Sequence, residues 1–427
     1  MKRILSLMLL LSFVGTSNIL SRGKSAPFFE VFVTSTTEAI PYRIPAIATA
    51  SDGTLIAVAD YRYSRADIGS GRIDLHLRRA RKNGRQWQDI FSPSVMQGDG
   101  DTSLGHQQAG FGDPCIVADR ESRRIMIVSC SGSPGFFSGT RNQHLGWARW
   151  YSEDNGKTWS EPNFIDEEYV YRRFDHSAYG PIKGWFVSSG RILQSRKLQV
   201  KRYYRLYCAG LSYNGKETAN WVLYSDDFGE TWSFLGGCDN SPIPGGDEAK
   251  VEELPDGNLL ISSRCKGGRR FNIFSFTDAE NGFGRWSQPA FSGEENHGVS
   301  ALDNACNGEI MIVPVVCRAD KQPMHLLLQS VPFGPGRSNV GIYYKVLRTR
   351  DDYDTPQHVA NNWTGSYQIS QKGSAYSTMT WQKNHTLGFF YEEETHCGTQ
   401  GGGYTLVYRN VSIEELTEGC FLYRKER

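Results

Sequence analysis

The chain has 427 residues, in which 47 Lys and Arg against 46 Asp and Glu leave a formal charge of +1. That balance excludes the overall basic footprint of a nucleic-acid binder. With 39% hydrophobic and 22% charged residues, the composition is that of a folded chain and not a disordered one.

At the N-terminus Lys2 and Arg3 precede an apolar run from Ile4 to Val14. The run is too short to cross a bilayer as a helix, and its basic flank is that of a signal peptide. Gly15 and Ser17 suit a cleavage point, which falls between about residues 17 and 26 by the same pattern. Residues 1–25 are therefore expected to be removed, and 26–427 to form one exported domain, secreted or periplasmic. No later stretch is long and apolar enough to span a membrane.

Short apolar runs of strand type follow in order: Thr54–Ala59, Ile73–Arg79, Arg124–Cys130, Asn220–Ser225 and Asn258–Ser263. Glu309–Val316, Gly341–Leu347, Thr386–Tyr391 and Thr405–Tyr408 continue the series. Turn pairs separate many of them: Asp52-Gly53, Asn83-Gly84, Asn214-Gly215, Asp256-Gly257 and Asn307-Gly308. Asn-Gly and Asp-Gly between such runs are hairpin signals, so an all-β fold is predicted. The nine cysteines are scattered, with no CxxC spacing, and an odd number leaves at least one unpaired in a monomer. Cys130 and Cys317 end apolar runs and read as small buried hydrophobes.

An internal repeat narrows the architecture. Ser152-Glu-Asp154-Asn-Gly156-Lys-Thr158-Trp159 matches Ser225-Asp-Asp227-Phe-Gly229-Glu-Thr231-Trp232 in the pattern S-x-D-x-G-x-T-W. Weaker copies lie at Lys82–Trp87, Thr349–Thr355 and Gly284–Trp286. The motif is a hairpin turn: Asp accepts backbone N–H bonds, Gly takes a positive φ, and Trp plugs between sheets. Such turns at wide intervals indicate a β-propeller. A calcium loop is disfavoured, because the further carboxylates of an EF-hand are missing.

These repeats resemble the Asp-boxes of the sialidase superfamily, and Tyr42-Arg43-Ile44-Pro45 is similar to the [FY]-R-I-P signature of its exo-α-sialidases. The resemblance runs from about Pro41 to Glu394. It implies a six-bladed β-propeller that hydrolyses terminal α-linked sialic acids from glycoproteins, glycolipids and oligosaccharides, with retention, through a sialyl-tyrosine. A trans-sialidase, an anhydro-forming sialidase and a non-catalytic sugar-binding propeller are the alternatives. No metal or organic cofactor is implied, and a monomer without a nucleic-acid partner is expected.

By the same resemblance three arginines bind the substrate carboxylate: Arg43, Arg264 at the end of Asn258–Arg264, and Arg337 in Gly334–Asn339. A planar guanidinium suits that task, since it bonds both carboxylate oxygens and stays charged. Arg269 or Arg270 for the second place, and Arg318 for the third, are rivals. Tyr376, in Gly373-Ser-Ala-Tyr376-Ser377, takes the nucleophile's place. A neutral phenol is not repelled by the substrate carboxylate as an Asp or Glu would be, but its reference pKa of ~10 requires a base. Glu248 is that partner, with Glu252 and Glu253 as rivals inside the next strand. Asp67, on the loop after Ala59-Asp60-Tyr61-Arg62, is the acid/base; Asp74 is its rival, at the start of a strand. Arg62 and Asp113 resemble the pair that contacts a ring hydroxyl. Glu392 resembles the carboxylate that orients the first arginine, though Glu393 and Glu394 adjoin it. The N-acetyl and aglycone sides have only candidates: Trp147, Trp150 and the loop 132–140.

Overall fold

The structure, a computed structural model, describes residues 28–34, 42–165, 167–394 and 403–425. The signal-peptide region and Cys397 lie outside them. Among the described residues no helix is long and apolar enough to cross a membrane. The fold is all-β, and the described residues form five hydrogen-bonded sheets.

The largest sheet contains strands from both ends of the chain. Ser374–Trp381, Leu387–Glu394 and Tyr404–Val411 run side by side, with Phe28–Phe32 against the last. Tyr42–Thr49, Leu55–Arg62, Ile73–Arg81 and Gln86–Trp87 form the other half. The halves meet where Tyr42 pairs Tyr404. The remaining sheets follow the chain. One carries Phe111–Ala118, Ile125–Ser131 and Gly146–Ser152, and the next Tyr203–Tyr213 and Thr218–Ser225. Then come Ala249–Glu253, Leu259–Cys265 and Gly268–Asp278, and finally Ile310–Cys317, Pro323–Pro332 and Val340–Leu347.

Strands buried on both faces read as continuous apolar runs, which is why Ile125–Ser131 is buried throughout. The apolar side chains fill the spaces between successive sheets. Trp147, Trp185 and Trp221 fill one, and Leu193, Val222, Val251 and Phe274 the next. Leu260 and Phe271 meet Leu327, and Val313 and Leu326 meet Phe389. Tyr42 and Leu55 meet Phe390 and Tyr408 across the joint, and Ile56 and Val58 meet Ile127 and Trp150. Each sheet or half-sheet thus packs on the next, and the last on the first.

The two full repeats form matching turns. Asp154 Oδ1 accepts the amides of Lys157 and Thr158 at 2.9 and 3.0 Å, and Asp227 Oδ1 that of Thr231 at 2.8 Å. In both, the serine hydroxyl bonds the aspartate and accepts the glycine amide at 2.8 Å. Gly156 and Gly229 sit at φ 78° and 86°, as the turn demands. Trp232 is buried, and Trp159 packs against the core of the neighbouring space. The copy at 349–355 does not repeat the turn: Arg350–Asp352 form a short 3-10 helix, with Asp352 capping the amides of Arg348 and Thr349. Asn307-Gly308 is not a hairpin either. Asn307 is buried on Ser189, and a Cβ on Gly308 would strike the Ser330 carbonyl at 1.8 Å.

Candidate active site

A cleft of about 600 Å³ gathers residues from four sheets. Arg43, Arg62, Asp67, Asp113, Glu248, Arg264, Arg337 and Tyr376 all line it, together with Asp247. These residues are scattered over more than 300 positions of sequence, and only the packing of the sheets brings them together.

Local irregularities aim the side chains. The pairing register slips between Arg43 and Ala46, between Gly112 and Cys115, and between Ser374 and Ser377. Bulges of this kind re-aim side chains beside active sites. Ile44 has φ 58° and Asp113 φ 55°. A positive φ is unusual for any residue with a Cβ and most of all for a β-branched one, and such strain concentrates at functional sites.

Two buried carboxylates hold these bulges. Glu392 Oε1 accepts Arg43 Nε at 2.7 Å and the Ile44 amide at 2.8 Å, while Oε2 accepts the Tyr376 amide at 3.0 Å. Glu393 instead bonds Lys372 and Ser370, and Glu394 is exposed, so Glu392 is the partner of Arg43. On the other side, Asp60 Oδ1 accepts the Asp113 amide at 3.0 Å, and Oδ2 accepts Arg62 Nη2 at 3.1 Å. Arg62 Nη2 also reaches Asp67 Oδ1 at 2.9 Å.

Arg264 joins the phenol to a carboxylate. Its Nη1 donates to Glu248 Oε2 at 2.6 Å and to Tyr376 Oη at 3.0 Å, and its Nε lies 3.2 Å from Asp247 Oδ2. The Arg43 and Arg337 guanidiniums flank the Tyr376 ring at 5.6 and 5.7 Å from its centroid. Tyr376 is 8% exposed and Glu248 5%. Burial pushes the Tyr376 phenol well above its usual range, with the Glu248 charge adding to the effect and Arg264 opposing it. Burial also raises the Glu248 carboxyl, against the pull of Arg264. The phenol is thus neutral, and the carboxyl beside it is a stronger base than a solvated glutamate. Asp67 differs from both: its side chain is 75% exposed, on the loop between two strands.

The rivals fall elsewhere. Arg269 is buried on Ser262 and the Cys306 carbonyl, Arg270 bonds the Pro244 carbonyl, and Arg318 pairs with Glu414. Glu252 pairs with Arg191 and Arg196, and Glu253 bonds Ser195. Asp74 accepts bonds from Tyr63, Arg72 and the Gly98 amide. Trp147 and Trp150 are corrections: both are buried between sheets, in spaces a bulky aromatic fills best, and neither lines the cleft. Of the loop 132–140, residues 135–138 do line it, and Phe137 is 68% exposed at its edge. Asp60 and Asp247 carry the largest contribution not foreseen. The period of two along a strand places Asp60 on the face of Arg62, a signal present in the sequence.

No protein-family model matches the chain. A sialidase of Bacteroides fragilis is 27% identical over 54% of this chain and 40% of that protein. A sialidase of Paraclostridium sordellii is 30% identical over 53% of each. The match thus spans about half the length of these curated relatives. Among solved structures, an intramolecular trans-sialidase from Ruminococcus gnavus superposes with a TM-score of 0.66 at 17% identity, covering 91% of this chain and 98% of that one. The chain is thus similar to these sialidases in sequence over about half its length and alike in fold to the trans-sialidase over nine-tenths of it.

Proposed function

We propose that the chain is an exo-sialidase that releases terminal α-linked sialic acids from glycoproteins, glycolipids and oligosaccharides. The observation that carries this reading is the contact chain Glu248–Arg264–Tyr376, with a second and a third arginine flanking the phenol. Arg43, Arg264 and Arg337 bind the substrate carboxylate; in a near-neutral chain, these three and Arg62 concentrate positive charge in the cleft. Arg62 and Asp113 hold a ring hydroxyl. As the Tyr376 oxygen attacks the anomeric carbon, its proton passes to Glu248, and the bond to the leaving oxygen breaks. Asp67 protonates that oxygen. It then takes a proton from the water that cleaves the sialyl-tyrosine while Glu248 returns its proton to the departing Tyr376 oxygen, so the anomeric configuration is retained. Most glycosidases use two carboxylates, and a tyrosine nucleophile is the recognised sialidase exception to that pattern.

The six packed units, with the terminal sheet counted as two, make a six-bladed β-propeller whose Asp-box turns are the two repeats. Residues 1–25 act as a signal peptide, and 26–427 form the exported catalytic domain, which acts as a monomer.

A fluorogenic aryl sialoside tests the reading. Purified wild type should release the fluorophore, and Tyr376→Phe should do so at least ~10³-fold more slowly. A folded wild type inert on every α-linked sialoside would overturn it. Equal rates for both proteins would keep the activity and remove Tyr376 from the nucleophile's place.

A further inference from the structure

We infer that Asp60 is a positioning residue of this reaction, acting through Arg62 on the acid Asp67 and through a backbone amide on Asp113; this rests on the functional reading above. Asp60 is fully buried and Arg62 is 4% exposed. The carboxylate has two oxygens and uses both: one takes the Asp113 amide, the other takes Arg62 Nε and Nη2 at 3.3 and 3.1 Å. A Cβ on Gly112 would stand 3.3 Å from Asp60 Oδ2, so the carboxylate is held closely against the bulged strand. The same Arg62 nitrogen then reaches the Asp67 carboxylate, which among the described residues is otherwise tied down only by the Ile68 amide at 3.1 Å.

The arrangement reproduces that of Glu392, where one buried carboxylate also fixes an arginine and a bulge amide. Asp60 lies opposite Arg43 in strand register, so the two clamps adjoin. Without Asp60, Arg62 has only the exposed Asp67 and the buried Asp113 as its remaining acidic neighbours. Asp67 is too exposed to hold a position by packing. The bulge at Asp113, strained at φ 55°, loses the acceptor of its amide.

Leaving-group dependence separates positioning from bulk structure. An aryl sialoside departs without protonation, whereas the sugar oxygen of a sialyl-oligosaccharide needs the acid. In Asp60→Asn, kcat/KM for the oligosaccharide should fall ~10²-fold, and for the aryl sialoside ~10-fold or less. The loss in Asp60→Asn/Arg62→Ala should be smaller than the combined losses of the two single variants, because residues acting as a unit are not additive. Equal losses on both substrates, or additive losses in the double variant, would overturn the proposal. If Asp60→Asn does not fold, Arg62→Lys reads the same link: it keeps a charge near Asp67 but loses the fork. It should show the same unequal losses, and equal ones would overturn the proposal. A folded wild type inert on both substrates removes the underlying function, and this role with it.

Discussion

Single buried charges decide the geometry of the cleft. Glu392 is fully buried and serves Arg43, the Ile44 amide and the Tyr376 amide at once. Replacing it by Gln keeps its shape but leaves Arg43 without a counter-charge. Breaking one partner of such a pair costs about 3 kcal/mol, because the survivor stays desolvated. Glu392→Gln should therefore lower the urea midpoint and raise KM for a sialoside; an unchanged KM would show that Arg43 holds its aim unaided. At Glu248 the expectation differs. In the proposed mechanism its carboxyl receives the phenolic proton without binding substrate, so Glu248→Gln should lower kcat by ~10² or more with KM nearly unchanged, as for a lost general base.

At the scale of the element, the repeated turns lie apart from the cleft, whereas the bulges carry residues that line it. Asp154 lies outside the lining of the cleft. Burial works to raise its carboxyl, but the bonds from the Thr158 amide and hydroxyl outweigh it, and the group falls to about 2. Asp154→Ala should cost about 1–2 kcal/mol, the scale of a lost helix cap, with kcat/KM per folded molecule unchanged. The turn's support is present above the ordinary carboxylate pKa and is lost as the pH falls toward 2. Gly156→Ala should destabilise as well, since φ is 78° and the added Cβ would meet Ile56 at 3.0 Å. Thermal melts beside single-substrate kinetics separate these effects.

At the scale of the whole molecule, the chain closes on itself. Tyr404–Val411 pairs with Leu387–Glu394, Phe28–Phe32 and, at Tyr42, with the first strand of the cleft. Ending the chain before Tyr404 unpairs all three, including the strands that carry Glu392 and Arg43. Such a truncation should lose cooperative unfolding and sialoside binding together, as seen by calorimetry. The clustered charges also set a pH dependence for the whole fold. Burial raises Asp60 to about 7 and Asp113 well above the usual carboxylate range; Arg62 opposes both shifts, and the Asp60 charge adds to that of Asp113. The folded protein therefore keeps protons that the unfolded chain has released above ~3.9. For Asp60 that contribution is complete at low pH and fades as the pH rises from about 4 to about 7. In Asp113→Asn the urea midpoint should gain on the wild type across this window; parallel curves would show that Asp113 holds no extra proton.

Local physics made much of this protein legible from its sequence. Alternation and apolar runs mark strands because side chains project to opposite faces, and Asp and Gly at fixed offsets specify the turn at 152–159 without help from the rest of the chain. Arg43, Glu248, Arg264, Arg337 and Tyr376, which line the cleft, stand in recognisable segments, so each could be named before its neighbours were known. Their convergence could not. It depends on three slipped registers and two positive-φ residues, which are imposed by the long-range bonds of Glu392 and Asp60 and cost energy locally. The choice between Trp147 as a wall of the cleft and Trp147 as core also lay beyond the sequence. Which side of a strand meets a neighbouring sheet is fixed only when the sheets pack.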